Sequence, residues 1–455
     1  MTDYIVAIDL GTSHITGIVG EKKDDGSFSV IACETEDPAS CIRRGIIYNR
    51  DKTAEHVSNV LKKLERHLKG AFIDKVYIGV NGQSLRTIDH VEVKEISDGA
   101  AVTNEDLNAL KEQCKAYKPD LVDVLDIAPA VYYVDGKRDP NPVGVPCRRL
   151  EAHYKLIVGR TSIRHSISKS ISDIAKVELA GIIISPLALA EALISREDKE
   201  LGCALVDFGG GVTSVSVFKD GDLIHMSVIP LGGNLITRDI MSLQLTEEDA
   251  ENVKKEHGST VLKKEDEDKV IYLDTEGPGR ELAVKDLNAI IEGRAKEIVE
   301  NVYARINEAK DFKYLPSGIV LAGCASELKN LNDVLRDKCK VNIRPSIIRT
   351  DLVKDFDNML GNPLFMTAVS LMLKGTATCV TFPEVKTPEE TGKNNSGQDV
   401  DEDDDTQEDR NEGRGFFRRK KNVKVKEKPQ PGSGKGNEGE KGGGGGFWGT
   451  LFVEN

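Results

Sequence analysis

Two short stretches of this chain set a carboxylate beside bare backbone. The first, IDLGTSHITGIVG at residues 8–20, runs an apolar strand into Asp9, then Leu10-Gly11-Thr12-Ser13, then a second alternating strand through Ile15 and Ile18. The second, ALVDFGGGVTSVSVF at residues 204–218, repeats the arrangement with Asp207, Gly209, Gly210 and Gly211, then hydroxyls at Thr213 and Ser214. Either one alone reads as an ordinary tight turn, because glycine supplies positive φ and Asp and Ser are common turn residues. Together, 198 positions apart, they read as one unit used twice, each hairpin opening an α/β half and facing the other across a cleft. Glycine-rich tips direct unpaired N–H groups outward and form anion-binding nests. Two opposed nests clamp a polyphosphate. Asp9 and Asp207 then hold the accompanying Mg²⁺ through its waters, as hard oxygen ligands do.

Two further pieces fit a larger ligand. GIVLAGCASELKNL, residues 318–331, places a buried strand before Ala322-Gly323-Cys324-Ala325, with a helix expected from near Glu327. Small residues at that corner let a flat base lie against the backbone. EEDAENVKKEHG, residues 247–258, puts Glu251 and Lys254 at i and i+3 on one helix face, suited to ribose hydroxyls and base.

The elements that must carry these residues alternate between strand-like and helix-like segments up to about Phe382. AEHVSNVLKKLERHL (54–68) sets Val57, Val60, Leu61, Leu64 and Leu68 on one helical face, with Gly70 as the stop, and KVYIGV (75–80) reads as the next buried strand. A separate block occupies 83–165. It holds strands near VEVKEI, LDIAPAVYYV and EAHYKLIVG, and a helix whose start at Thr103 and Asp106 fits a capping box. GIIISP and LALAEALI then restart a strand-and-helix pattern at 181.

With 455 residues the chain is long enough for more than one core. Its formal net charge of −13 argues against nucleic acid as the main partner, since phosphate backbones call for a basic face. There is no leader-like start and no run of about 20 apolar residues, so a cytoplasmic protein is expected. Eight scattered cysteines lack C-x-x-C or metal spacing and read as reduced core residues.

Beyond Phe382 the texture changes. An acidic run, DVDEDDDTQED (399–409), precedes a basic block, RGFFRRKKNVKVKEK (414–428), and a glycine-rich stretch. This composition cannot bury enough apolar surface to order itself and reads as a disordered linker. The last nine residues, FWGTLFVEN, bring Phe447, Trp448, Leu451 and Phe452 to one face of a short helix, suited to a membrane surface.

These motifs, in this order, resemble the actin, sugar-kinase and chaperone superfamily and, within it, the bacterial FtsA cell-division family, over residues 1 to about 380. Asp9-x-Gly11-Thr12 resembles the first phosphate motif, Asp207-x-Gly209-Gly210-Gly211 the second, GCASELKNL the adenosine motif, and Glu251 with Lys254 the AExxK pair. RRGIIYNRDKTAEHV, IPLGGNLITRDI and GNPLFMTAVSLMLKG add likeness of a less chemical kind. The resemblance implies an α/β, actin-like (ribonuclease H-like) duplicated two-domain fold with an FtsA-type inserted subdomain and a disordered C-terminal tail. It implies ATP and Mg²⁺ as ligands, with Asp9, Gly11, Thr12, Ser13, Asp207, Gly209, Gly210, Gly211, Thr213, Glu251, Lys254, Gly323 and Cys324 around the nucleotide. The implied division is subdomain 1A at 1–82, completed by 166–198 and 362–382, and an SHS2-like insert at 83–165. Subdomain 2A takes 199–231 and 302–361, and subdomain 2B takes 232–301. A linker follows at 383–446, with a membrane-targeting tip at 447–455.

Three positions depart from the family pattern. Val212-Thr213-Ser214 stands where Thr-Thr-Asp is usual, Cys324 replaces the second glycine of a pair, and the terminal tip is short. The missing acid implies slow ATP hydrolysis or none. The resemblance further implies self-association into filaments, an FtsZ C-terminal peptide bound near 232–301, other division proteins as partners, and residence on the cytoplasmic face of the membrane at the division site. Other readings on the same fold are a PilM-like assembly protein, which lacks the long linker and apolar tip, and a small-molecule kinase, for which no base is marked out.

Overall fold

The computed structural model describes residues 3–97, 99–266, 268–273, 280–309, 315–354, 361–383 and 424–425. Its centre is a topology written twice. In the first half, Asp3–Leu10 pairs antiparallel with Ile15–Lys22, which pairs antiparallel with Phe28–Glu36. On its other side Asp3–Leu10 lies parallel to Lys75–Val80, and that strand lies parallel to Glu178–Ile184. In the second half, Cys203–Phe208, Thr213–Lys219 and Asp222–Ile229 form the same meander. Ile319–Ala322 and Ile343–Pro345 add the two parallel strands.

The inner strands are buried on both faces, as Ile5, Val6, Ala7 and Ile8 and then Ala204, Leu205 and Val206 show. That is why they read as continuous apolar runs. Strand alternation splits the second run between two cores. Cys203 and Leu205 join the cluster of the first half, whereas Ala204, Val206 and Phe208 pack with the helices of the second. Full burial of such side chains is worth roughly 1.5–3 kcal/mol each, so the halves share part of their stabilisation.

Helix Arg50–Glu65 begins at Asn49, whose side chain accepts from the Lys52 N–H. It buries Val57, Val60, Leu61 and Leu64 but ends before Leu68, so the expected stop at Gly70 lies five residues past its last turn. The capping box at Thr103 and Asp106 has both of its hydrogen bonds. Its helix, Asn104–Ala116, covers Arg149–Gly159 and Arg86–Glu95 around a separate core of Leu110, Cys114, Leu150, Tyr154 and Leu156. The strands of this block do not stand apart. Through Arg86, opposite Ser227, they extend the sheet of the second half into ten strands.

All cysteines of the described residues are free, and Cys324 is exposed rather than in the core. No helix among the described residues is long and apolar enough to cross a membrane. The linker and tip, with Phe447, Trp448, Leu451 and Phe452, lie outside the described residues, except for the strand Lys424–Val425.

Candidate functional site

The two hairpin tips face each other across a cleft of about 360 Å³. That volume lies at the small end of ligand pockets, about 300–1,000 Å³. Asp9 and Asp207 occupy equivalent positions in the repeated topology. Asp9 stands beside Gly79 and across from Thr16, and Asp207 stands beside Ala322 and across from Ser214.

The tips touch. Ser13 Oγ donates to Asn234 Oδ1 at 3.0 Å, across the cleft. A Cβ on Gly210 would fall 2.0 Å from Ser13 Oγ, so the second tip approaches the first only as bare backbone. The loop after Asp207 is braced from behind, where the N–H groups of Gly233 and Asn234 donate to the carbonyls of Gly209 and Gly210 at 3.0 and 2.8 Å. Those carbonyls therefore face helix Gly233–Ile240. Among the described residues the N–H groups of Gly210 and Gly211 have no hydrogen-bond partner.

Both carboxylates hold a proton more tightly than an ordinary Asp. Burial, and then the facing Asp207, push Asp9 up to about 7. Burial pushes Asp207 up to about 6, against hydrogen bonds from Ser214 and Asn81. A dication at the cleft would relieve both. The described residues hold no group of three or more His, Cys, Asp or Glu side chains suited to a metal. Two carboxylates alone fit an ion that keeps most of its waters, as Mg²⁺ does.

On the far wall Glu251 and Lys254 project from helix Glu247–His257 and are 2.6 Å apart. Burial works to raise Glu251, but Lys254 and Thr237 outweigh it and hold the carboxyl below its usual range. Burial lowers Lys254 from 10.5, although Glu251 opposes it. Lys254 Nζ also donates to Thr237 Oγ1 at 2.7 Å and to the Gly233 carbonyl at 3.2 Å. These three bonds use all the donors of an ammonium. Lys254 thus orients Glu251 and ties this helix to the one behind the second tip. The exposed Lys255, 3.2 Å from Glu251 Oε1, is the cation nearer solvent.

Gly323 turns the chain with φ +88°, and a Cβ there would fall 2.5 Å from Asp207 Oδ1. The helix expected near Glu327 starts instead at Leu331, because Cys324–Glu327 forms a single 3₁₀ turn along the cleft.

Of the residues marked in the sequence, Asp9, Gly11, Thr12, Ser13, Asp207, Gly209, Gly210, Gly211, Glu251, Lys254, Gly323 and Cys324 line this cleft. Thr213 does not. Its side chain points into the protein, fully buried, and Oγ1 donates to the Leu231 carbonyl at 2.9 Å. Sequence reading missed Asn81, Asn234 and Lys255. The signal for Asn81 was its place two residues past Gly79, matching Cys324 two past Ala322.

Comparison with known proteins agrees with this architecture. The family described as "Cell division protein FtsA" matches residues 204–370, and "SHS2 domain inserted in FTSA" matches 82–158. The chain is 30% identical over 414 residues to the cell division protein FtsA of Porphyromonas gingivalis, spanning 88% of this chain and 86% of that protein. The chain belongs to the FtsA family. The FtsA of Bacillus subtilis is 31% identical over 376 residues, spanning 81% of this chain and 83% of the relative. Among solved structures, one from a PilM–PilN type IV pilus biogenesis complex superposes with a TM-score of 0.58 at 15% identity, covering 81% of this chain and 97% of that one. That likeness is one of fold. With FtsA membership, the chain is a cell-division protein with an actin-like fold and an SHS2 insert.

Proposed function

We propose that this FtsA-family chain binds ATP with Mg²⁺ in the cleft between its halves, self-associates into filaments, and tethers FtsZ filaments to the cytoplasmic face of the membrane at the division site. The observation that carries the nucleotide reading is the pair of equivalent tips, with Asp9 and Asp207 opposed across one cleft. The N–H groups of Gly210 and Gly211 suit phosphate oxygens, and Asp9 and Asp207 suit the waters of the metal. Mg²⁺, when bound, neutralises phosphate charge and links it to the two carboxylates. Glu251 suits the ribose hydroxyls, and the corner at Gly323 and Cys324 lets a base lie flat. FtsZ binding near 232–301 and attachment through Phe447, Trp448, Leu451 and Phe452 rest on the family resemblance and the terminal sequence.

Calorimetry with Mg-ATP on Asp9→Ala and Gly210→Val tests the clamp. Asp9→Ala removes a metal-facing carboxylate. Gly210→Val forces a side chain against Ser13 and parts the two tips. Both variants should fold and bind nucleotide at least tenfold more weakly. Unchanged affinity in both would mean that the tips do not hold phosphate.

A further inference from the structure

The strand Lys424–Val425 belongs to a tail whose composition reads as a linker, yet it is paired. Val425 lies opposite Ile271 and Lys424 opposite Tyr272, antiparallel to Val270–Leu273. That strand in turn pairs with Arg280–Ala283, so the tail supplies the third strand of a small sheet.

Three features favour this contact. A two-stranded hairpin leaves one row of N–H and C=O groups unpaired on each edge and is marginal alone, whereas a third strand satisfies an edge. Ile271 and Leu273 are already buried in the core of the second half, so Val270–Leu273 presents a fixed template. The charges are also complementary. Residues 264–286 carry a net −4 and the block 414–428 a net +7. Opposite blocks attract across surface distances of up to about 10 Å at moderate salt.

We propose that the basic block docks on the edge of Val270–Leu273 as an intramolecular latch. The chain between Pro383 and Phe447 has 63 residues. Docking at Val425 divides it and leaves 21 residues between the latch and the apolar tip. The latch thereby couples the second half of the molecule to the reach of its own terminus. It also holds basic residues away from any other anionic surface.

Hydrogen–deuterium exchange on the full chain tests this. Replacing both tail residues, Lys424→Pro with Val425→Pro, removes their N–H donors and should speed exchange of the Tyr272 amide, which faces the tail, at least tenfold. The Ile271 amide, which faces Leu282, is the internal reference. Raising the salt concentration should speed the Tyr272 amide in the wild-type chain. Identical exchange in the wild type and the double-proline variant would overturn the latch. As an independent measure, Tyr272→Cys with Lys424→Cys should give a 272–424 disulfide-linked peptide within one molecule under mild oxidation. Linkage found only between isotopically distinct copies, or none at all, would also overturn it.

Discussion

Asn81 Nδ2 donates to Asp207 Oδ2 at 3.0 Å, so a residue of the first half holds the carboxylate of the second. Asn81 Oδ1 is buried with no hydrogen-bond partner among the described residues. This side chain is therefore half committed, to Asp207 on one side, with an acceptor left over. Asn81→Leu should remove a hydrogen bond to a charged group, worth about 1.5–3 kcal/mol. The expected loss is roughly ten- to a hundredfold in Mg-ATP affinity by calorimetry. Equal affinity with Mg²⁺ in excess would show that Asn81 only packs between the two halves.

The elevated carboxyls predict a pH dependence with a definite sign. Asp9 and Asp207 titrate near 7 and 6 in the folded protein, above the ordinary 3.8. The folded state thus binds more protons than the unfolded state over that range. Their contribution to the stability of the ligand-free protein should be largest below about pH 4 and fall as pH rises through 6 and 7. Mg-ATP binding needs the ionised forms, so affinity should rise from pH 5.5 to about pH 8 and binding should release protons. Calorimetry in buffers of different ionisation enthalpy measures that release, and Asp9→Asn should reduce it.

Ser214 stands directly across the second hairpin from Asp207 and donates a hydrogen bond to it. It occupies the position where the family pattern usually has an acid. Without that third carboxylate, ATP should be held as a structural ligand and turned over slowly or not at all. Steady phosphate release on the order of 1 s⁻¹, within the ordinary enzyme range, would contradict this.

For the terminal tip, Trp448→Glu should abolish binding to anionic vesicles in co-sedimentation while Mg-ATP binding persists. Deleting the acidic run at 399–409 should strengthen vesicle binding at low salt, since basic residues gain about 1 kcal/mol each near an anionic surface. If Trp448→Glu binds as well as wild type, the anchor lies elsewhere, with Phe416 and Phe417 in the basic block the first residues to change.

The two Asp-and-glycine hairpins were legible because their chemistry is local. A buried strand, a carboxylate at its end and a glycine turn are all specified within about fifteen residues. The capping box at Thr103 and the face of Val57, Val60, Leu61 and Leu64 were legible for the same reason. The bond from Asn81 to Asp207 joins residues 126 positions apart, and no local pattern encodes it. The inward turn of Thr213 followed from strand alternation, which sets Thr213 and Ser214 on opposite faces, but only the packed sheet decided which face met the cleft. The continuation of the insert's strands into the second half's sheet, through Arg86 and Ser227, and the pairing of Val425 with Ile271 are likewise edge contacts. A strand edge presents backbone groups common to every residue, so the sequence determined which segments became strands, and tertiary structure decided which edges met.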